Sequence, residues 1–90
     1  MPSRQVTILN ELGLHARAAT RLVECAKLFE SEVWLKNGQR RVDGKSIMGL
    51  LTLAAGPGMQ LEIETLGTDA ECALVALTEL INSGFGEPEL

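Results

Sequence analysis

The run GLHARAAT, residues 13–20, holds the only histidine of the chain, His15, with Arg17 two positions further on. Beyond it, Ala19, Leu22, Val23, Ala26 and Phe29 recur at steps of three and four. A helix is therefore expected from Ala16 to Phe29, with one apolar stripe and with Arg21, Glu24 and Lys27 on its wet side. His15 stands where that helix begins. The first-turn amides, from about Ala16 to Ala18, have no partner inside the helix. Together with the helix dipole they make a positive pole. Such a pole favours neutral imidazole over imidazolium and attracts anions, phosphate among them. Arg17 adds a planar fork of donors matched to phosphate oxygens. A neutral ring nitrogen beside a dianion cradle has the equipment to accept a phosphoryl group and to give it up again.

Hydrolysis would need a base that activates water. The chain has no second histidine and no tyrosine, and Glu11 is the only acid close to His15 in sequence. That favours transfer. On the residues alone, three readings stand. One is a phosphoryl carrier. Another is a small acylphosphatase-like hydrolase, which would need a water-positioning group near the arginine. The last is a regulatory binding domain without phosphochemistry, in which His15 only caps a helix.

The elements that must position this pair follow from periodicity. RQVTIL alternates Val6 and Ile8 with polar residues, the pattern of a half-buried strand. Asn10 to Gly13 form a loop before the helix. In SEVWLK, Val33 and Leu35 face one way and Trp34 the other; Asn37-Gly38 marks a hairpin, and QRRV returns. VDGKS is a turn, and SIMGLLTLA reads as a short helix started by Ser46. After the breaker GPG at 56–58, MQLEIET alternates again. Thr68 and Glu71 match a capping box for a last helix whose stripe is Ala70, Ala73, Leu74, Leu77, Leu80 and Ile81, with Gly84 as its left-handed stop. The order is β-α-β-β-α-β-α. The expected fold is α+β, an open-faced sandwich: a four-stranded, mostly antiparallel sheet with three helices on one face.

Composition narrows the function classes. Ninety residues, 1–90, make one domain. A formal charge of −4 argues against general nucleic-acid binding. No apolar run approaches the roughly 20 residues of a membrane span. The opening MPSRQVTILNEL lacks the apolar segment of a secretory leader, so a cytoplasmic location is expected. Cys25 and Cys72 are too far apart for a CxxC motif and fall in apolar helical patterns, where buried thiols are expected. Neither a metal site nor a cofactor is expected.

GLHARAA, followed some way on by GKSIMGLLTLAA, resembles the HPr family of histidine-containing phosphocarriers in the bacterial phosphoenolpyruvate-dependent phosphotransferase system, together with its nitrogen-related paralogue NPr. The likeness runs over essentially the whole chain. It implies that His15 is phosphorylated on Nδ1 and that Arg17 assists transfer. It implies enzyme I as donor, EIIA-type proteins as acceptors, and Ser46 as a regulatory phosphorylation site for a dedicated HPr kinase/phosphorylase. Family members commonly have proline after the motif arginine; Ala18 stands there instead. Proline would pre-set φ in the first turn, whereas alanine keeps an amide that can donate to phosphate. The tail LINSGFGE looks like the nitrogen-related paralogue, and GKSIMGLL looks like the kinase-regulated members.

Ser46 is expected to cap its helix whatever else it does. The surface offered to partners is expected to include Thr20, Arg21, Lys45, Ile47, Met48 and Leu51. A flexible methionine suits a face that fits several partners, and the local cations would steer acidic ones despite the negative total charge. A monomer suits a shuttle.

Overall fold

The computed structural model describes residues 1–86. Its elements run β1 (Ser3–Thr7), α1 (Ala16–Ala26), β2 (Glu32–Asn37), β3 (Arg40–Asp43), α2 (Ile47–Thr52), β4 (Gln60–Leu66) and α3 (Ala70–Asn82), followed by a tight turn at Gly84–Gly86. The strands form one sheet in the order β1-β4-β2-β3, and every pairing is antiparallel. Val6, Val33, Leu35, Leu61 and Ile63 point to one face and are buried there beneath the helices. The other face carries Trp34, with the Arg41 guanidinium 4.1 Å over its ring, and Arg41 also pairs with Glu64 at 3.3 Å.

The helical stripes supply the rest of the core. Ala18, Ala19, Leu22, Val23 and Ala26 of α1 are buried, as are Ala73, Leu74, Leu77 and Ile81 of α3. Small alanines on α1 let it lie close to its neighbours, so the core stays dense with few aromatic side chains. Phe85 is the aromatic that is fully buried. It sits between Gly84 at φ 66 and Gly86 at φ 70, itself at φ 60, and its carbonyl accepts a hydrogen bond from Arg21 Nη1. The left-handed stop expected at Gly84 is thus present and extends over three residues. Glu87, the last residue of the tail run noted above, lies outside the described residues.

Four expectations need correction. The first helix ends at Ala26 rather than Phe29, because the next amides tighten to i−3 bonds, Leu28 N to Cys25 O (3.1 Å) and Phe29 N to Ala26 O (3.2 Å). Tertiary partners claim the groups beyond: Lys45 Nζ donates to Phe29 O at 2.9 Å, and the Asp69 carboxylate accepts from Glu30 N and Ser31 N, both at 2.9 Å. The capping box at Thr68 does not form either. Asp69 occupies the N-cap position, makes no side-chain cap bond, and turns its carboxylate across to the α1–β2 turn. Cys72 is exposed, since it lies beside the α3 stripe and not on it; Cys25 is half-buried, and burial raises its thiol pKa. Arg21 is half-buried rather than wet, because it reaches back to Phe85.

The Asp69 latch ties the two turns at the sheet end away from His15. Ser31 Oγ also donates to Asp69 Oδ1, and a Cβ on Gly67 (φ +145) would lie 2.6 Å from that same Oγ, so only glycine fits. The hydrogen bond from the Ser31 side chain, then that from the Glu30 backbone, holds the Asp69 carboxyl pKa below its ordinary value. A depressed folded-state pKa stabilises the fold above the unfolded value and stops doing so as the pH falls through the folded one. Asp69→Ala is expected to lower the urea midpoint at pH 7, and its gap to the wild type to close below about pH 4. A gap unchanged at acid pH would count against the carboxylate as its source.

Candidate functional site

His15 is the N-cap of α1, with φ −82 and ψ −179, and is half-buried. Extended backbone at the cap is what lets its side chain fold back on the first turn. The ring does so through Nδ1, which accepts from Arg17 N at 3.3 Å. In a neutral ring an accepting Nδ1 carries the lone pair and Nε2 the proton. The lone-pair nitrogen is therefore the one facing the helix amides. The first intrahelical bond is Ala19 N to His15 O, 2.8 Å, so the amides of Ala16, Arg17 and Ala18 have no partner within the helix; Ala16 and Arg17 are exposed. Ala18, by contrast, is fully buried, so the Ala18 amide expected to face an anion lies beneath the surface.

The loop before His15 is held at Asn10, Gly13 and Leu14. Gly13 N donates to Asn10 O (3.1 Å), and Asn10 Nδ2 donates to Gly13 O (2.7 Å). His15 N also donates to Gly13 O (3.0 Å), while Leu14 N donates to Ala55 O (2.8 Å). Gly13 has φ +66, and a Cβ there would lie 2.5 Å from Ala55 O and 2.9 Å from Gly56 Cα. The segment 54–56 is thus a ledge against which the His15 loop is pressed. The ledge itself is strained, since Ala54, without glycine's freedom, sits at φ 51. Sequence reasoning missed Asn10 and Ala55. The signal for Asn10 was Asn at the first and Gly at the fourth position of a turn; Ala55 carries none, because its role is played by a backbone carbonyl.

Ser46 caps α2, its Oγ accepting from Gly49 N at 3.1 Å. The start of α2 lies by the end of α1, through the bond of Lys45 to Phe29, and the segment after α2 lies by the loop before α1, through Leu14 and Ala55. The two helices therefore run antiparallel. Ser46 and His15 stand at opposite ends of the pair, with the roughly 9 Å rise of α2 between them, and do not form one site. Along that length Met48 is 76% exposed, and Ile47 and Leu51 are also exposed. Leu12, in the loop before His15, is 66% exposed. Thr20 Oγ1 bonds Ala16 O at 2.8 Å. Of the cations expected to steer partners, Arg17 is exposed, whereas Arg21 and Lys45 each donate to a carbonyl near a helix end.

The family model described as PTS HPr component phosphorylation site matches residues 2–83. The chain belongs to the HPr family. It is 51% identical to the phosphocarrier protein HPr of Neisseria meningitidis serogroup A over 89 residues, covering 99% of this chain and 100% of that one. It is 43% identical to the phosphocarrier protein NPr of Shewanella violacea, covering 93% and 92%. The crystal structure of HPr from Thermoanaerobacter tengcongensis superimposes with a TM-score of 0.94 at 38% identity, covering 99% and 100%. HPr proteins are phosphocarriers of the phosphotransferase system and not stand-alone catalysts. The all-antiparallel sheet with its three helices is the HPr fold.

Gly13→Ala is expected to destabilise by about 1–3 kcal/mol from the left-handed backbone alone. Since the clash is with backbone atoms, the His15 loop must also shift. The measurement is chemical denaturation combined with the amide resonances of Leu14 and His15; an alanine variant of wild-type stability with unmoved resonances would contradict the ledge.

Proposed function

We propose that His15 accepts a phosphoryl group from phospho-enzyme I on Nδ1 and passes it to an EIIA-type protein, with the Arg17 side chain and the amides of Ala16 and Arg17 holding the charge. The observation that carries this is Nδ1 turned to the helix pole, 3.3 Å from Arg17 N. The Nδ1 lone pair attacks phosphorus as the bond from phosphorus to the donor breaks. Once Nδ1 is bonded to phosphorus it no longer accepts from Arg17 N, and that N–H turns to a phosphoryl oxygen. The exposed Arg17 guanidinium closes over the remaining oxygens. Transfer onward reverses these movements. Charge-assisted bonds of this kind grip a dianion without a metal, and each contributes about 1.5–3 kcal/mol.

The exposed apolar face of Ile47, Met48 and Leu51, with Thr20 at its side, is the partner surface in this reading. Arg21 and Lys45 border it with their charges partly spent on carbonyls. A kinase-added phosphate on Ser46 would stand beside Met48, adding a dianion to an apolar contact. It acts on docking and leaves the cradle at the other end of the helix pair untouched. Among the described residues no helix is long and apolar enough to cross a membrane, which suits a monomer shuttling in the cytoplasm.

Incubation with phosphoenolpyruvate and enzyme I is expected to give acid-labile phosphate on His15, absent in His15→Ala. A wild-type protein that takes up none sinks the reading. Arg17→Ala is expected to slow uptake about tenfold to a hundredfold. Ser46→Asp is expected to raise KM for enzyme I with little change in kcat; the reverse split, measured by phosphate uptake across donor concentrations, would place Ser46 in the cradle instead.

A further inference from the structure

Asn10 is a buried polar side chain whose role the phosphoryl chemistry above does not use. Its amide Nδ2 donates to Gly13 O at 2.7 Å, and the backbone N–H of His15 donates to the same oxygen at 3.0 Å. One carbonyl thus gathers the Asn10 side chain and the His15 main chain. The turn is closed a second time by Gly13 N to Asn10 O at 3.1 Å.

Gly13 is the residue of this turn with the freest backbone. It has φ +66 and no side chain to hold it. The Gly13 carbonyl and Leu14 N belong to one planar peptide, held at both edges: Leu14 N donates to Ala55 O, and the carbonyl accepts from Asn10 Nδ2 and His15 N. The orientation of that carbonyl decides where His15 N points, and therefore the entry of the chain into the helix cap. The cap in turn sets the direction of Nδ1 toward Arg17 N. A short, buried, doubly bonded turn is well suited to fix such a peptide, because breaking it leaves buried polar groups unsatisfied.

We propose that Asn10 is a positioning residue for phosphoryl transfer: through the Gly13 carbonyl it holds His15 in the cap geometry that aims Nδ1 at the helix pole. The inference rests on His15 being the phosphoryl acceptor. Asn10 touches neither donor nor phosphate. It has no part in the partner face on α2, so its loss acts on the step at His15 and not on docking.

The test compares wild type with Asn10→Ala and Asn10→Asp. Aspartate keeps the size but, ionised, has no N–H for the Gly13 carbonyl. Thr78→Val is the control for a lost buried hydrogen bond elsewhere, since Thr78 Oγ1 bonds Leu74 O at 2.7 Å within α3. Phosphate uptake from phosphoenolpyruvate and enzyme I is measured across donor concentrations at matched folded fraction. Both Asn10 variants are expected to lose about tenfold in kcat with KM within twofold, as expected for one buried hydrogen bond, while Thr78→Val keeps both. In ¹⁵N spectra of the ring, wild type and Thr78→Val hold the proton on Nε2, and the Asn10 variants populate the other tautomer. Kcat within twofold of wild type in both Asn10 variants, a loss confined to KM, or an unchanged tautomer balance each overturns the inference. A wild type that takes up no phosphate instead overturns the reading of His15, and the ring spectra still decide whether Asn10 orients it.

Discussion

The hydrogen bond from Leu14 N to Ala55 O joins the loop before α1 to the segment after α2, and the candidate site at His15 is assembled around it. Neither partner is a polar side chain. The bond is backbone to backbone, so its existence depends on two chain segments passing at van der Waals distance. Glycine at position 13 permits that approach, and Ala54 accepts a left-handed conformation to complete it. Local strain next to a reactive group is tolerated where the surrounding fold over-determines it. Here the surroundings are the buried Leu14, Leu50, Leu53 and Ala55, which lie in the common core.

A carrier works between two limits. It must hold the phosphoryl group long enough to diffuse between partners, and weakly enough to surrender it. Backbone amides at a helix start meet both demands. They are fixed by the helix and need no reorganisation, yet they bring only partial charges. In the proposed reading the exposed Arg17 guanidinium supplies the full charge, and being exposed it is screened by solvent and salt. The arrangement also explains why so small a chain suffices. The proposed cradle is the beginning of a helix that the core already requires.

Much of this was legible in the sequence. The alternation in MQLEIET and the three-four stripe in α1 yield the right elements, because each buries one face only. Asn37-Gly38 and Ser46 mark the β2–β3 hairpin and the cap of α2 through local chemistry. His15 was legible as a helix cap, with Arg17 beside it, for the same reason. What escaped is what depends on distant partners. Thr68-x-x-Glu71 reads as a local cap, but Asp69 is drawn off by the amides of Glu30 and Ser31. Arg21 reads as solvated, but the carbonyl of Phe85 reaches it from the far end of the chain. Cys72 reads as core because its apolar neighbours hide a phase difference along the helix. Antiparallel docking of α2 on α1, which separates Ser46 from His15, rests on contacts that no local pattern encodes.

The single tryptophan sits on the bare side of the sheet, beneath Arg41 and paired in register with Glu64 and Asp43. With no tyrosine in the chain, nearly all its near-ultraviolet emission comes from that one indole. The fluorophore is therefore turned away from the helical layer and stacked on a cation that disappears from it when the strands separate. Emission will follow melting of the sheet while remaining dark to events over α1 and α2. When a partner docks over α1 and α2, intensity beyond the summed emission of the two separate proteins can then be credited to the partner's own chromophores.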